Sequence, residues 1–174
     1  MKRFIFSFVF SVVLSLSFAS VASAQSQSVR DANLGYTFDL PEPGWKMTLK
    51  PTETNPNVEF VHGDRMNGHF EIRKMSVKRG DMLSDVIRRD QEAKLQFLPG
   101  FVAGKEENFL GALRGKAFNY EFVRSGKNMS GRFYYLKADE TTVYVLRFTG
   151  LRDQLRSIRN QVDSIARTFK VKAA

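Results

Sequence analysis

His62 and His69 are the only histidines in the chain, with Asp64 between them and Glu71 just beyond. Imidazole plus carboxylate is a donor set that suits zinc or manganese. Gly63 and Gly68 bound the intervening segment, which predicts a hairpin loop with the two histidines facing each other across its base. His62, His69 and Asp64 are therefore the candidate metal ligands. The ligand spacing does not repeat as it does in structural zinc sites, so an ordinary solvated pair of histidines fits the pattern too. Nucleophilic catalysis has no seat. Cysteine is absent, and no serine stands in a Gly-x-Ser-x-Gly turn. Glu42, Glu106-Glu107 and Asp139-Glu140 fall at expected turns or strand ends, where charge is normally solvated. No glycine-rich phosphate loop is present. The chain reads as a non-enzyme with no catalytic residues and no cofactor.

The second candidate chemistry is recognition by charge. Arg152, Arg156, Arg159 and Arg167 fall on or near the outer side of a predicted last helix, where they can dock an acidic partner. Asp163 lies four residues from both Arg159 and Arg167, a spacing that predicts an ion-pair ladder along the helix. Trp45, the only tryptophan, follows the turn Pro41-Glu42-Pro43-Gly44. Large aromatics mostly serve burial, so it is expected to pin that turn, and its turn is a further candidate contact. The partner-binding set is Trp45, Arg152, Arg156 and Arg159.

Composition narrows the partner. Lys and Arg outnumber Asp and Glu 27 to 18, a net charge of +9. That surplus favours anionic partners: acidic proteins, lipid headgroups or polyanionic envelope polymers. The basic residues are dispersed, so no nucleic acid is expected. Met1-Lys2-Arg3, the apolar run Phe4 to Phe18 and Ala22-Ser23-Ala24 have the three-part layout of a secretory signal peptide. Residues 1–24 are assigned to it and 25–33 to a flexible leader, with one domain over 34–174. The expected product is soluble and exported, periplasmic or extracellular, with no stable membrane insertion after cleavage. Its partner is expected to be an envelope protein. Oligomeric state is left open.

Several elements must position these residues. Leu34 to Leu40 alternates as a short strand. Val58 to His62 and His69 to Val77 form a hairpin, with a bulge near Arg73-Lys74 where the apolar alternation slips phase. Asp81 is expected to cap a helix over Met82 to Phe97, with Leu83, Val86, Ile87, Phe97 and Leu98 on one side. Asp90 and Lys94 fall amid that stripe as an ion pair. Strands follow near Phe109 and over Leu113 to Val123. A hairpin of Met129–Ala138 and Thr142–Gly150 then turns at Asp139-Glu140. The last helix carries Leu151, Leu155, Ile158, Val162, Ile165, Ala166 and Phe169 on one stripe, with Asp153 as its N-cap or first-turn acid. Several strands are apolar on both faces, which calls for cover on both sides of a sheet. The fold class is α+β, an antiparallel sheet flanked by helices.

Gly35-Tyr36-Thr37-Phe38-Asp39-Leu40-Pro41 followed by Gly44-Trp45 resembles the opening of PsbP-like domains. So does the strand Gly111 to Glu121, and the closing order of Val143 to Phe148 followed by a helix ending Ser164 to Phe169. The resemblance covers about Leu34 to Val171 and contains no catalytic signature. It implies an α/β/α sandwich of the PsbP-like type that binds proteins or, occasionally, ions. Two functions are carried forward. The first is an exported binding or assembly module acting through protein contacts in the cell envelope. The second is a carrier of a small ligand or divalent metal, with an apolar cavity lined by Phe118, Tyr120, Tyr134 or Phe148.

Overall fold

The computed structural model describes residues 26–172, so the signal-peptide assignment lies outside the described residues. The two central strands, β8 (Lys127–Lys137) and β9 (Thr142–Leu151), pair in register from Met129↔Leu151 to Lys137↔Val143. In both, successive residues are buried, because alternate side chains enter two different cores. Around them assembles an antiparallel sheet of seven strands, in the order β3-β4-β5-β9-β8-β7-β6. The remaining five are β3 (Trp45–Leu49), β4 (Glu59–His62), β5 (Asp64–Ser76), β6 (Val102–Leu110) and β7 (Arg114–Arg124).

One face of this sheet carries Phe60, Phe70, Ile72, Tyr134, Leu146 and Phe148. Helices α2 (Arg152–Ser157) and α3 (Arg159–Thr168) cover it, together with a three-stranded sheet of β1 (Ser26–Val29), β2 (Tyr36–Pro41) and β10 (Lys170–Val171), in the order β1-β2-β10. The opposite face carries Phe118, Tyr120, Phe122, Phe133, Tyr135 and Val145 beneath α1 (Leu83–Ala93). The expected antiparallel sheet between helices is the architecture found.

Five local expectations are corrected. The leader 25–33 is not uniformly flexible: Ser26–Val29 forms β1, pairs with β2 (Tyr36–Pro41) and buries Val29. Its polar composition hid this, since the strand gains its ladder from β2 rather than from its own side chains. No bulge interrupts β5 at Arg73-Lys74. The register with β9 runs unbroken from His69↔Thr149 to Ser76↔Thr142. Phe70 and Ile72 enter one core while Met75 packs against the other. The phase slip therefore marks a change of face on a straight strand.

Helix α1 stops at Ala93, and a 3-10 turn (Leu95–Phe97) follows. Leu95 is buried there, whereas Phe97 is 74% exposed and not on the buried stripe. Asp81 caps nothing. Its carboxylate accepts Lys78 N–H and pairs with Arg89 at 2.5 Å. The last helix is two helices, broken at Ile158 (φ −99°, ψ 12°). There the Ser157 hydroxyl donates to the Gln154 carbonyl at 2.8 Å and competes with the helical ladder. Ile158 stays buried, so the apolar stripe survives the break. Asp153 stands in the first turn of α2 and is not the N-cap.

Candidate functional site

The hairpin that carries the histidines closes at Gly63 (φ +71°), earlier than expected, and β5 begins at Asp64. The register shifts between Val61 and His62: His62 pairs with Asp64, while Val61 pairs with His69. Because His69 lies opposite Val61, the adjacent His62 has its ring on the other face of the sheet. His62 packs edge-on to Trp45, with ring centroids 5.3 Å apart. It also covers Gly44, where an added Cβ would fall 2.3 Å from Nε2. His69 lies on the α1 side, its Nε2 3.1 Å from Glu59 Oε2. Asp64 is occupied locally, accepting the N–H groups of Met66 and Asn67 at 2.7 and 2.8 Å. The three residues are not brought together. Among the described residues, no group of three or more His, Asp or Glu side chains is placed to hold a metal ion.

Trp45 also turns inward. It is 8% exposed, and its Nε1–H donates to Gln161 Oε1 at 3.0 Å, tying the β3 end of the sheet to α3. Its ring meets Phe70 and Phe148 edge-on. It pins the turn and offers no face to a partner.

The arginines do converge. A groove of about 500 Å³ runs between α2–α3 and the outer strands β6 to β8. Arg152, Arg156 and Arg159 line its helical side with Leu155. Val102, Ala103, Asn119, Glu121 and Arg132 line its sheet side. The expected ladder to Asp163 does not form. Arg159 reaches Glu107 of β6 at 3.5 Å, Arg152 reaches Glu121 of β7 at 3.6 Å, and Arg156 reaches Asp153 at 3.7 Å. These long, solvated contacts each contribute well under about 1 kcal/mol. A partner's carboxylates can therefore displace them at little cost.

Asp163 instead points into the sheet, toward a residue that the sequence pattern did not single out. Arg132, on β8, is only 7% exposed. Its Nε donates to Asp163 Oδ1 (2.9 Å) and Tyr134 Oη (2.6 Å). Its Nη1 donates to Asn119 Oδ1 (2.7 Å) and Glu107 Oε2 (3.2 Å). The Tyr134 hydroxyl also donates to Asp163, and burial pushes its pKa well above the usual phenol range. This network fixes α3 over the sheet and builds the floor of the groove. The available signal was an arginine inside an otherwise apolar central strand, which must find partners when buried.

A second buried network lies under α1. The Asp90 carboxylate accepts the Tyr135 hydroxyl at 2.8 Å and Arg147 Nη2 at 2.8 and 3.1 Å. The expected pair with Lys94 forms at 3.2 Å. Burial pushes the Asp90 carboxyl up. The Arg147 charge, the Tyr135 hydroxyl and Lys94 together outweigh it and hold the group below the usual carboxylate range.

No family model matches the sequence, and no curated protein sequence does. Solved structures do match in fold. LpqN of Mycobacterium tuberculosis, involved in cell envelope biogenesis, has a TM-score of 0.54 at 18% identity, covering 86% of this chain and 91% of that one. The Ran-binding protein Mog1p of Saccharomyces cerevisiae has a TM-score of 0.61 at 11% identity, covering 86% and 96%. Cyanobacterial PsbP (CyanoP) of Synechocystis sp. PCC 6803 has a TM-score of 0.53 at 14% identity, covering 89% and 97%. The protein has the PsbP-like fold, shared with Mog1p. At these identities the likeness establishes the fold, and fold alone does not carry function.

Proposed function

We propose that this protein is an exported, non-enzymatic binding module that docks an acidic segment of an envelope protein along the α2–α3 groove. One observation carries the reading. Arg152, Arg156 and Arg159 line one groove and are held only by long, exposed contacts. Leu155, Val102 and Ala103 add apolar surface between the charges. An extended chain with alternating acidic and aliphatic side chains matches that lining. Export is supported by the layout of residues 1–24. The envelope setting is supported by the similarity to LpqN. Among the described residues, no helix is long and apolar enough to cross a membrane.

The carrier reading has less support. Phe118, Tyr134 and Phe148 are packed at 0–1% exposure, and none of them lines this groove. Tyr120 contributes to its wall only.

Cross-linking in the producing cell, followed by affinity capture, is expected to recover one envelope protein in stoichiometric yield. The double variant Arg152→Glu/Arg156→Glu should keep its melting temperature and lose that capture at least tenfold, because charge reversal at a rim turns attraction into repulsion. Capture unchanged in this variant would remove the groove as the docking site.

A further inference from the structure

The opposite face of the sheet ends in a tip of unusual composition. Three pieces of chain meet there: the 3-10 turn with Phe97, the loop from Leu98 to Phe101, and the β7–β8 connection. Val123 N–H donates to the Pro99 carbonyl at 2.7 Å, and Gly100 (φ +61°) lies against the Val123 side chain. Ser125 and Gly126, both at positive φ, make the two-residue turn beside them. One large apolar side chain projects into water at this end, Phe97 at 74% exposure.

The unpaired charges around it are of one sign. No acid occurs between Glu92 and Glu106, or between Glu121 and Asp139. Lys94, Arg124 and Lys127 all lie in those stretches and are exposed. The Arg124 guanidinium lies 5.3 Å from the Phe122 ring centroid. Neither Arg124 nor Lys127 has an ion-pair partner among the described residues. A cleft of about 290 Å³ opens beside the tip, lined in part by Lys94, Leu95, Leu98, Phe122, Arg124 and Arg147. The nearby carboxylates are already engaged. Asp90 is held by Arg147 and Lys94, and Glu71 by Arg73 at 3.0 Å.

We propose that this tip rests on an anionic lipid surface. Phe97 enters the headgroup boundary, Arg124 and Lys127 take lipid phosphates, and the cleft receives one headgroup. An exposed aromatic side chain flanked by unpaired cations, with the nearby carboxylates already paired, is the combination that such a surface retains, through apolar burial and electrostatic attraction together. Turns at the end of a sheet present too little apolar area for a stable protein interface, which needs about 800 Å² from each partner. The site is independent of the acidic-segment groove, which lies on the other face of the sheet.

Sedimentation with vesicles tests it. The purified chain should bind phosphatidylcholine vesicles that contain phosphatidylglycerol, and should bind pure phosphatidylcholine far less. Raising salt to 0.5 M should weaken the binding. Arg124→Glu/Lys127→Glu should lower partitioning by about thirtyfold or more, given the attraction of each basic residue near such a surface. Phe97→Ser should lower it by roughly tenfold. All three positions are exposed, so melting temperatures should not move. Absence of vesicle binding, or equal binding by both tip variants, would overturn the proposal. So would an equal loss in Arg156→Glu, which would transfer the contact to the groove. Calorimetric binding of glycerol 3-phosphate without vesicle binding would make the cleft a free phosphate-ester site and would also overturn it.

Discussion

Asp90→Asn is expected to destabilise the protein by about 3–5 kcal/mol, the cost of leaving a buried charge without its counter-ion. Asp90 is 4% exposed and takes both Arg147 Nη2 contacts as well as the Tyr135 hydroxyl. Asparagine nearly preserves the shape but leaves the Arg147 guanidinium facing a neutral amide. Among the described residues, Glu71, at 3.7 Å, is the one other carboxylate in reach of Arg147. The effect must depend on pH, and its sign follows from the depressed pKa of Asp90. A carboxylate bound more tightly in the folded state stabilises it while the unfolded group is also ionised. The difference between wild type and Asp90→Asn should therefore be full above about pH 5. It should shrink as pH falls through the unfolded value near 4 toward the lower folded value. Urea melts at pH 7 and pH 3 measure it. A difference that stayed constant, or grew, on acidification would show that the pair contributes through shape alone. The double variant Asp90→Leu/Arg147→Met should recover much of the loss, since replacing both ions with apolar groups removes the desolvation penalty.

The second large effect is expected on the other face. Arg132→Leu should cost about 3 kcal/mol, because it strands Asp163 and Glu107 and removes the donor that holds Tyr134 and Asn119 in place. Glu107 is half exposed and water can recover its share, so most of the cost falls on Asp163. Asp163→Leu should cost a similar amount by stranding Arg132. The two losses should not add: a double variant close to either single would place both residues in one unit. Full additivity, measured by denaturant melts of all four proteins, would sink the network. The functional consequence is separate. Arg132 forms the groove floor and Asp163 belongs to α3, so both singles should also loosen the helix that presents Arg159.

Much of this fold was legible because its strands announce themselves. Val143 to Phe148 alternates aromatic and branched side chains, and the turn at Asp139-Glu140 is where the structure has it. The burial of these strands on both faces implied cover on both sides, which α1 and the α2–α3 pair provide. The convergence of Arg152, Arg156 and Arg159 on one surface follows from helical spacing, and the break at Ile158 does not undo it.

Pairing across distance was not legible, because it is set by register and layer order. The spacing of Asp163 to Arg159 and Arg167 satisfies the rule for a helical ladder. Yet Asp163 lies on the sheet-facing side, where the buried guanidinium of Arg132 wins it over solvated partners on its own helix. His62 and His69 are close in sequence, but His69 pairs with Val61 and not with His62, and that one-residue offset puts their rings on opposite sides of the sheet. Side-chain period two makes a strand unforgiving in this respect, since a shift of one residue exchanges its faces. The sequence by itself determined most strands of the large sheet, its cover on both sides and the basic character of the last helical segment. Only the tertiary structure decided which charges are spent inside the fold, at Asp90 with Arg147 and Arg132 with Asp163, and which stay free to meet something else. Burial makes that division: a charge removed from water must be paired where it stands, and an exposed one is left for a partner.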